Sequence, residues 1–398
     1  MYSRAFLVLS AALLFVIGGC RREGCTDANA TNYDSKANRE DHSCVYPSVN
    51  QTTVFPENYS FERNGSTSVD FGTASILEEM DIELMRVIKA ANTPGTAPDD
   101  ILVYKLLHNE DAPFTDNKLN ESGYKLSAFM GGGDPFYSQA LFKSIDSVLA
   151  SSKLTLVGVY AAGPGKGGVM KSGNTSLIMN ANGLAYTEWI EMAILCLRNL
   201  HYIQYTALGA QGMGGTMGEG VENAQLADGK NYTEMEHSFD MAYGMFSTQT
   251  LKLPDSHTAW GLHAADINPI TASFDRLFNY FIRGRYAITQ KDMKQRNTVI
   301  SEIKYEMDRI CVALTLYHLA EAKKNVARDF DRNRHLSRAS GLVWGMQFLA
   351  NNPPAKATID GWLIDFGTDF YKVDAADIDA FSDLLASRYN LVEERNRF

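Results

Sequence analysis

A chain of 398 residues with 45% apolar side chains is long enough to bury a large core, which excludes global disorder. Its formal net charge of −10 excludes a nucleic-acid partner, since phosphates require clustered Lys and Arg. The five cysteines divide by context: one ends an apolar N-terminal run, two bracket a polar segment, and two sit inside apolar helical runs.

Residues 1–4 are a short basic start, and residues 5–17 are apolar apart from Ser10. A run of this length falls short of the ~20 residues that span a bilayer. It fits the apolar core of a secretory signal peptide over 1–19. The ending Ile17-Gly18-Gly19-Cys20 resembles a bacterial lipobox, which implies cleavage before Cys20 and a lipid on its thiol. A plain signal peptide with a chance Cys, or an uncleaved anchor, is the alternative. On the lipobox reading, the rest of the chain is a body tethered to the outer membrane of a cell envelope, on its periplasmic or its surface side.

Residues 20–54 read as a lipidated, polar segment and linker. In an oxidising compartment Cys25 and Cys44 are the natural disulfide, closing a loop worth ~3 kcal/mol in the chain-entropy model. The segment resembles a Cys-bracketed motif of surface and secreted proteins of Bacteroidota. Asp27, Asn29, Asn32, Asp34 and Asp41 offer oxygen ligands to calcium. The same side chains also suit Asx turns with nearby backbone.

From residue 55 the helical period dominates, and the expected fold is an all-α multi-helix array over 55–398. After an extended stretch to residue 72, Ile76, Leu77, Met80, Leu84 and Ile88 mark a first amphipathic helix. Residues 136–150 carry another, and 186–208 a long one containing Cys196. Residues 153–160 are the only tempting alternating strand. Asn268-Pro269 reads as an N-cap followed by Pro at the first helical position. Residues 298–327 form a long, central helix containing Cys311, with Ile303, Met307, Ile310, Leu314 and Tyr317 on one stripe. Residues 336–350 follow the charged turn 328–334. The last helix runs from about 375 to 389, with Asp374 and Asp377 in capping-box spacing. Cys196 and Cys311 read as buried thiols, with a second disulfide between them left open. Two Gly-rich stretches, 163–168 and 209–220, lack the features of a phosphate loop and read as interhelical loops.

The most pointed segment runs Tyr232-Thr233-Glu234-Met235-Glu236-His237-Ser238-Phe239-Asp240. Thr233 and Glu236 have capping-box spacing, so a helix starts here. Met235, Phe239, Ala242 and Phe246 then form its buried stripe, with His237 beside the edge and Asp240 one turn on. Imidazole and carboxylate at this spacing are ligands for zinc or non-haem iron, with Glu236 as a third candidate. They serve equally as an ordinary buried polar network, with Glu236 only capping. A second His-x-x-Asp, His263 to Asp266, falls in an expected loop. There is no Gly-x-Ser-x-Gly elbow and no His-Glu-x-x-His, so nucleophilic and zincin chemistry have no sequence support.

Several phrases together resemble a family of Bacteroidota lipoproteins known as domain of unknown function 4856, over about 55–390. They are Gly65-Ser-Thr-Ser-Val-Asp-Phe71, Tyr232 to His237 with Asp240-Met-Ala-Tyr-Gly244, and Phe281-Ile-Arg283-Gly-Arg285-Tyr-Ala-Ile288. The family carries no settled activity. In it, an acidic residue usually follows the position of Asp240, where this chain has Met241. A remoter similarity is to imelysin-like helical lipoproteins linked to iron uptake and once classed as peptidases. Their Gly-x-His-x-x-Glu phrase corresponds here to Met235-Glu-His237-Ser-Phe-Asp240.

The reading that follows is a membrane-tethered helical protein that binds a small ligand, a divalent metal or iron, or an envelope protein partner. Its candidate site residues are His237, Asp240, Arg283 and Arg285. The two arginines suit a bidentate anion or a structural carboxylate on a neighbouring helix. A metal-dependent, peptidase-like hydrolase and a purely structural module are the alternatives.

Overall fold

The structure, a computed structural model, describes residues 22–26, 32–40, 43, 55–130, 135–156, 160–253 and 257–398. The signal-like run, Cys20, Cys44, Asp27, Asn29 and Asp41 lie outside the described residues. The chain divides into two compact units, Met1–Val54 and Phe55–Phe398.

In the first unit, β1 (Glu23–Gly24) pairs in parallel with β2 (Arg39–Glu40). Cys25 is buried. Asp34 accepts from the Lys36 N–H at 2.9 Å, an Asx turn, and its other oxygen meets Arg22 at 2.8 Å. Asn32 donates to the Ser43 carbonyl at 2.6 Å. These two side chains therefore serve the local backbone, as the turn reading expects.

The second unit is predominantly helical. It opens with an antiparallel hairpin of β3 (Glu62–Arg63) and β4 (Ser66–Thr67). Its turn, Asn64-Gly65, has positive φ at both residues, 54° and 74°, the pair that matches the twist of a tight hairpin. Helix α1 (Gly72–Lys89) buries Leu77, Met80, Leu84 and Ile88, the expected stripe. Asp99 caps α2 (Asp100–His108) by accepting from the Ile101 and Leu102 N–H groups. Short α3 (Asn117–Glu121) and α4 (Leu126–Phe129) lead to α5 (Pro135–Leu156).

Residues 153–156 are the end of α5 and not a strand. Val148, Ser152 and Thr155 all face inward, so helical spacing overrides the local alternation. The strands lie further on. The first Gly-rich stretch leads into a hairpin of β5 (Gly168–Ser172) and β6 (Thr175–Met179), turned at Gly173 with φ 57°. Helix α6 (Tyr186–Ile194) continues into two π-helical segments, Leu195–Leu200 and Tyr202–Ala207. The second Gly-rich stretch forms α7 (Ala210–Met213) and α8 (Thr216–Glu222), with Gly215 at φ 56° between them.

Helix α9 (Glu234–Phe246) starts at a complete Thr233/Glu236 capping box. Helix α10 (Ala259–Thr271) contains His263, Asp266, Asn268 and Pro269, so neither the expected loop nor the expected helix start is found there. The break comes at Ala272, in the left-handed region at φ 52°. Asn268 still caps, but from a distance: its Oδ1 accepts from the N–H groups of Phe274 and Asp275 in α11 (Ser273–Thr289).

The long α12 (Met293–Lys324) packs against α10, α11 and α13 (Asp329–Gly345), and is central as expected. Most of the charged stretch 328–334 forms the first turns of α13, because Asp329 and Asp331 favour a helix N-terminus. Helices α14 (Lys356–Asp365), α15 (Ala375–Tyr389) and α16 (Val392–Arg395) close the chain. Asp374 and Asp377 form the expected capping box of α15. Cys196 and Cys311 are free, buried thiols, which settles the alternative left open by spacing. Among the described residues, no helix is long and apolar enough to cross a membrane.

Candidate functional site

The capping box fixes where α9 begins and hence where Glu236 and Asp240 project. Both are buried, and both meet Arg285 of α11, itself fully buried. Arg285 donates from Nε to Asp240 at 2.9 Å, from Nη1 to Glu236 at 2.8 Å, and from Nη2 to the Ser68 carbonyl at 2.9 Å. Asp240 also accepts from the Tyr59 hydroxyl at 2.7 Å and the Asp70 N–H at 3.1 Å. Glu236 also accepts from Arg63 at 2.8 Å and from the Thr233 N–H at 2.8 Å.

Two carboxylates thus face two guanidiniums, and all four carboxylate oxygens are taken. Burial alone would raise the Glu236 pKa, but Arg285, Arg63 and the Thr233 N–H outweigh it and bring it to about 2. Asp240 has no second cation, and burial pushes it up to about 6 despite Arg285. Such a cluster locks the β3–β4 hairpin and the start of α1 onto α9 and α11. It has no open coordination position.

His237 does not join it. Its Nδ1 lies 2.9 Å from the Asp70 carbonyl, and its ring stacks on Tyr232 at 4.8 Å between centroids. Arg283 points elsewhere as well, 3.8 Å from Glu302 of α12 and over the Tyr280 ring. The structure therefore brings Glu236, Asp240 and Arg285 together and leaves His237 and Arg283 outside. Among the described residues, no three His, Cys, Asp or Glu side chains converge as a metal would require, so these residues do not fit the metal that the remote resemblance implies. His263 lies 4.0 Å from Asp266, at the edge of a pair too loose to hydrogen-bond.

A different place has the character of a site. A cleft of about 390 Å³ lies between α1, the junction of α6 with its π-helical continuation, and α10. Its mouth carries Ile82 and Leu262, 60% and 41% exposed. Its floor carries Asp81, Arg198 and Asn199, 7%, 2% and 1% exposed. Arg198 forms ion pairs with Asp81 and with Glu78, the latter at 3.0 Å. Asn199 Nδ2 donates to the Met245 carbonyl at 2.7 Å, which fixes its amide orientation.

Asp81 Oδ1 and Asn199 Oδ1 are buried with no hydrogen-bond partner. Burial raises Asp81 to about 6, with Arg198 opposing and Glu78 adding to the rise. Arg198 and Asn199 come from a π-helical segment, a geometry frequent at functional sites, and Asp81 comes from α1. A larger groove of about 1150 Å³ runs past Phe142 and Trp344, but its charged residues Lys143, Asp146, Lys356 and Asp360 stand in solvent.

The sequence reading missed Asp81, Arg198 and Asn199. Its available signal was Arg198-Asn199 inside the apolar run Ile194-Leu-Cys-Leu-Arg-Asn-Leu200. A helix that is apolar all round is buried, so charge within it must be partnered.

The model of the family described as Domain of unknown function (DUF4856) matches residues 56–388. The chain belongs to that family. No curated protein and no solved structure matches it. Each of the three phrases that carried the resemblance falls on the Arg285 lock: Ser68 and Asp70, then Glu236 and Asp240, then Arg285 itself. In this DUF4856 chain they hold the fold together at one point, while the cleft lies apart from them.

Proposed function

We propose that this DUF4856 chain is a helical binding protein, held in the cell envelope by a lipid on Cys20, whose small ligand occupies the cleft floored by Asp81, Arg198 and Asn199. One observation carries the reading: Asp81 Oδ1 and Asn199 Oδ1 are buried acceptors with no donor. An unsatisfied buried polar group costs about 1–3 kcal/mol; others occur among the described residues, and these two share the floor of one cleft. The same fold satisfies all four carboxylate oxygens at Arg285. Two orphaned acceptors at the floor of an apolar-mouthed cleft support a ligand there.

The anchor rests on the Ile17-Gly18-Gly19-Cys20 ending, and a Cys25–Cys44 disulfide on the spacing of those two residues in an oxidising compartment. A hydrolase reading gains no support, because Glu236 and Asp240 are committed to arginines and Asp240 occupies the acid position of the imelysin-like phrase. The test is a small-molecule screen on the full-length protein, read by hydrogen exchange. Bound compounds should protect residues 81–85 and 195–199. A library in which no compound protects them, or in which binders protect only the Phe142–Trp344 groove, overturns the reading.

A further inference from the structure

We infer that the cleft takes a small organic cation, a primary amine whose ammonium donates to Asp81 and Asn199 and whose apolar body lies against Met85, Leu195 and Leu262. This rests on the cleft being the ligand site and specifies the ligand's chemistry.

The first argument is the count of charges. At the Arg285 lock two carboxylates face two guanidiniums. In the cleft, Glu78 and Asp81 share the single guanidinium of Arg198, which leaves one negative charge in excess. The remaining Arg198 contact is with the Met245 sulfur at 3.5 Å, which adds no charge. On the walls Lys89 shares Glu191 with Arg338, and Arg86 is mostly exposed and pairs with Glu83 at 3.3 Å, so the excess is confined to the floor. A ligand that restores balance is a monocation.

The second argument is hydrogen-bond polarity. Four floor atoms lack a hydrogen-bond partner; Arg198 Nε and Asp81 Oδ2 meet each other in the ion pair, which leaves two acceptors, so the ligand must donate. An ammonium offers three donors and an alcohol only one, while a carboxylate offers none and would be repelled. Burial raises the Asp81 pKa, and a cation at Oδ1 would relieve that cost.

The third argument is the wall. Met85, Leu195 and Leu262 line the cleft, and Ile82 stands exposed at its mouth. A bare inorganic ion would leave this apolar surface uncovered, whereas an alkyl or aryl body fills it. Recognition by a few placed polar groups within apolar walls is the usual construction of a small-molecule site.

The experiment is calorimetric titration of the full-length protein at neutral pH with hexylamine, hexanol and hexanoate. Hexylamine should bind tighter than hexanol by about tenfold or more, the factor carried by one charge-assisted contact, and hexanoate should bind weakest. Asp81→Asn should erase the preference for the amine over the alcohol. Leu262→Lys, at an exposed position that does not threaten folding, places a competing ammonium over the mouth and should weaken hexylamine by a similar factor. If hexanol or hexanoate binds as tightly as hexylamine, the amine assignment falls while the cleft stands. If the amine preference survives in Asp81→Asn, or Leu262→Lys leaves hexylamine affinity unchanged, it falls as well. If none of the three probes binds, the cleft reading falls with it.

Discussion

The Arg285 guanidinium donates to Asp240 at 2.9 Å, and neither side chain reaches solvent. Because the same guanidinium holds Glu236 and the Ser68 carbonyl, three chain segments separated by up to 217 positions meet at one group. Arg285→Met should therefore cost about 3–5 kcal/mol, the loss seen when one partner of a buried pair is removed. Arg285→Lys should recover little, since one ammonium cannot reproduce a planar fork aimed at Asp240, Glu236 and Ser68. Urea-unfolding midpoints of the variants against wild type decide this. Wild-type stability in Arg285→Met would show that the cluster is not a lock.

His237 carries a smaller load. Its ring loses a contact to the Asp70 carbonyl and a stack on Tyr232, at a position only half-buried. His237→Ala should lower stability by about 1 kcal/mol, the net value of one hydrogen bond. The metal content of the purified protein, measured by plasma mass spectrometry, should match that of wild type. A metal bound at stoichiometric amount in wild type and lost in His237→Ala would restore the ligand role that Glu236, His237 and Asp240 suggest in sequence.

These two residues show what was legible. The Thr233/Glu236 box, the Met235–Phe246 stripe and the Asp374/Asp377 box are local patterns, and each element they imply is present. The partnership of Arg285 with a neighbouring helix was one of two open readings. The identity of its partners was not legible, because Glu236 and Asp240 lie 49 and 45 positions away and helical spacing does not report which faces meet. The cleft was hidden for the same reason: Asp81 and Arg198 belong to different helices, and a π-helical segment has no sequence period of its own to announce it. The Asn64-Gly65 hairpin was within reach of turn chemistry but is bounded by strands of two residues, too short for alternation to show. Asn268-Pro269 misled because a cap can act from one helix onto the next.

Gly284 sets the approach of α11 to α9. A Cβ built there would lie 2.4 Å from Phe239 Cζ, and the Phe239 ring is fully buried and held edge-on by Phe281. Helix propensity alone favours Gly284→Ala by up to ~1 kcal/mol. Overpacking costs about 1–3 kcal/mol, so the clash decides the sign and the variant should be less stable. Adding Phe239→Leu should return part of the loss, because it removes the atoms that the new methyl meets. Equal or greater stability of Gly284→Ala by thermal unfolding would mean that the ring moves aside freely.

The proposed anchor makes a separate demand. Cys20→Ala should leave the N-terminal peptide without a lipid and shift the protein from the membrane fraction to the soluble fraction. Mass analysis of the N-terminal peptide and fractionation of cells check the two outcomes. Unchanged membrane association in Cys20→Ala would remove the lipid from the account.

His263 supplies a pH test. Burial lowers its pKa to about 4, with Arg338 adding to the fall and Glu191 opposing it, while His318 faces it from α12. The folded chain therefore takes up this proton only near pH 4, whereas the unfolded chain takes it up near 6.5. Between those values the unfolded state binds more protons, so stability is fully present above about 6.5 and is lost as pH falls toward 4. The displacement corresponds to a loss on the order of 3 kcal/mol from this one group. His263→Gln cannot titrate, and its stability should decline less over the same window. Urea-unfolding midpoints of wild type and His263→Gln, taken at steps from neutral pH down to about 4, should shift relative to each other, wild type losing more toward the acid end. Parallel curves would show that His263 titrates alike in the folded and unfolded chains, and that its burial against α6 and α13 is not maintained in solution.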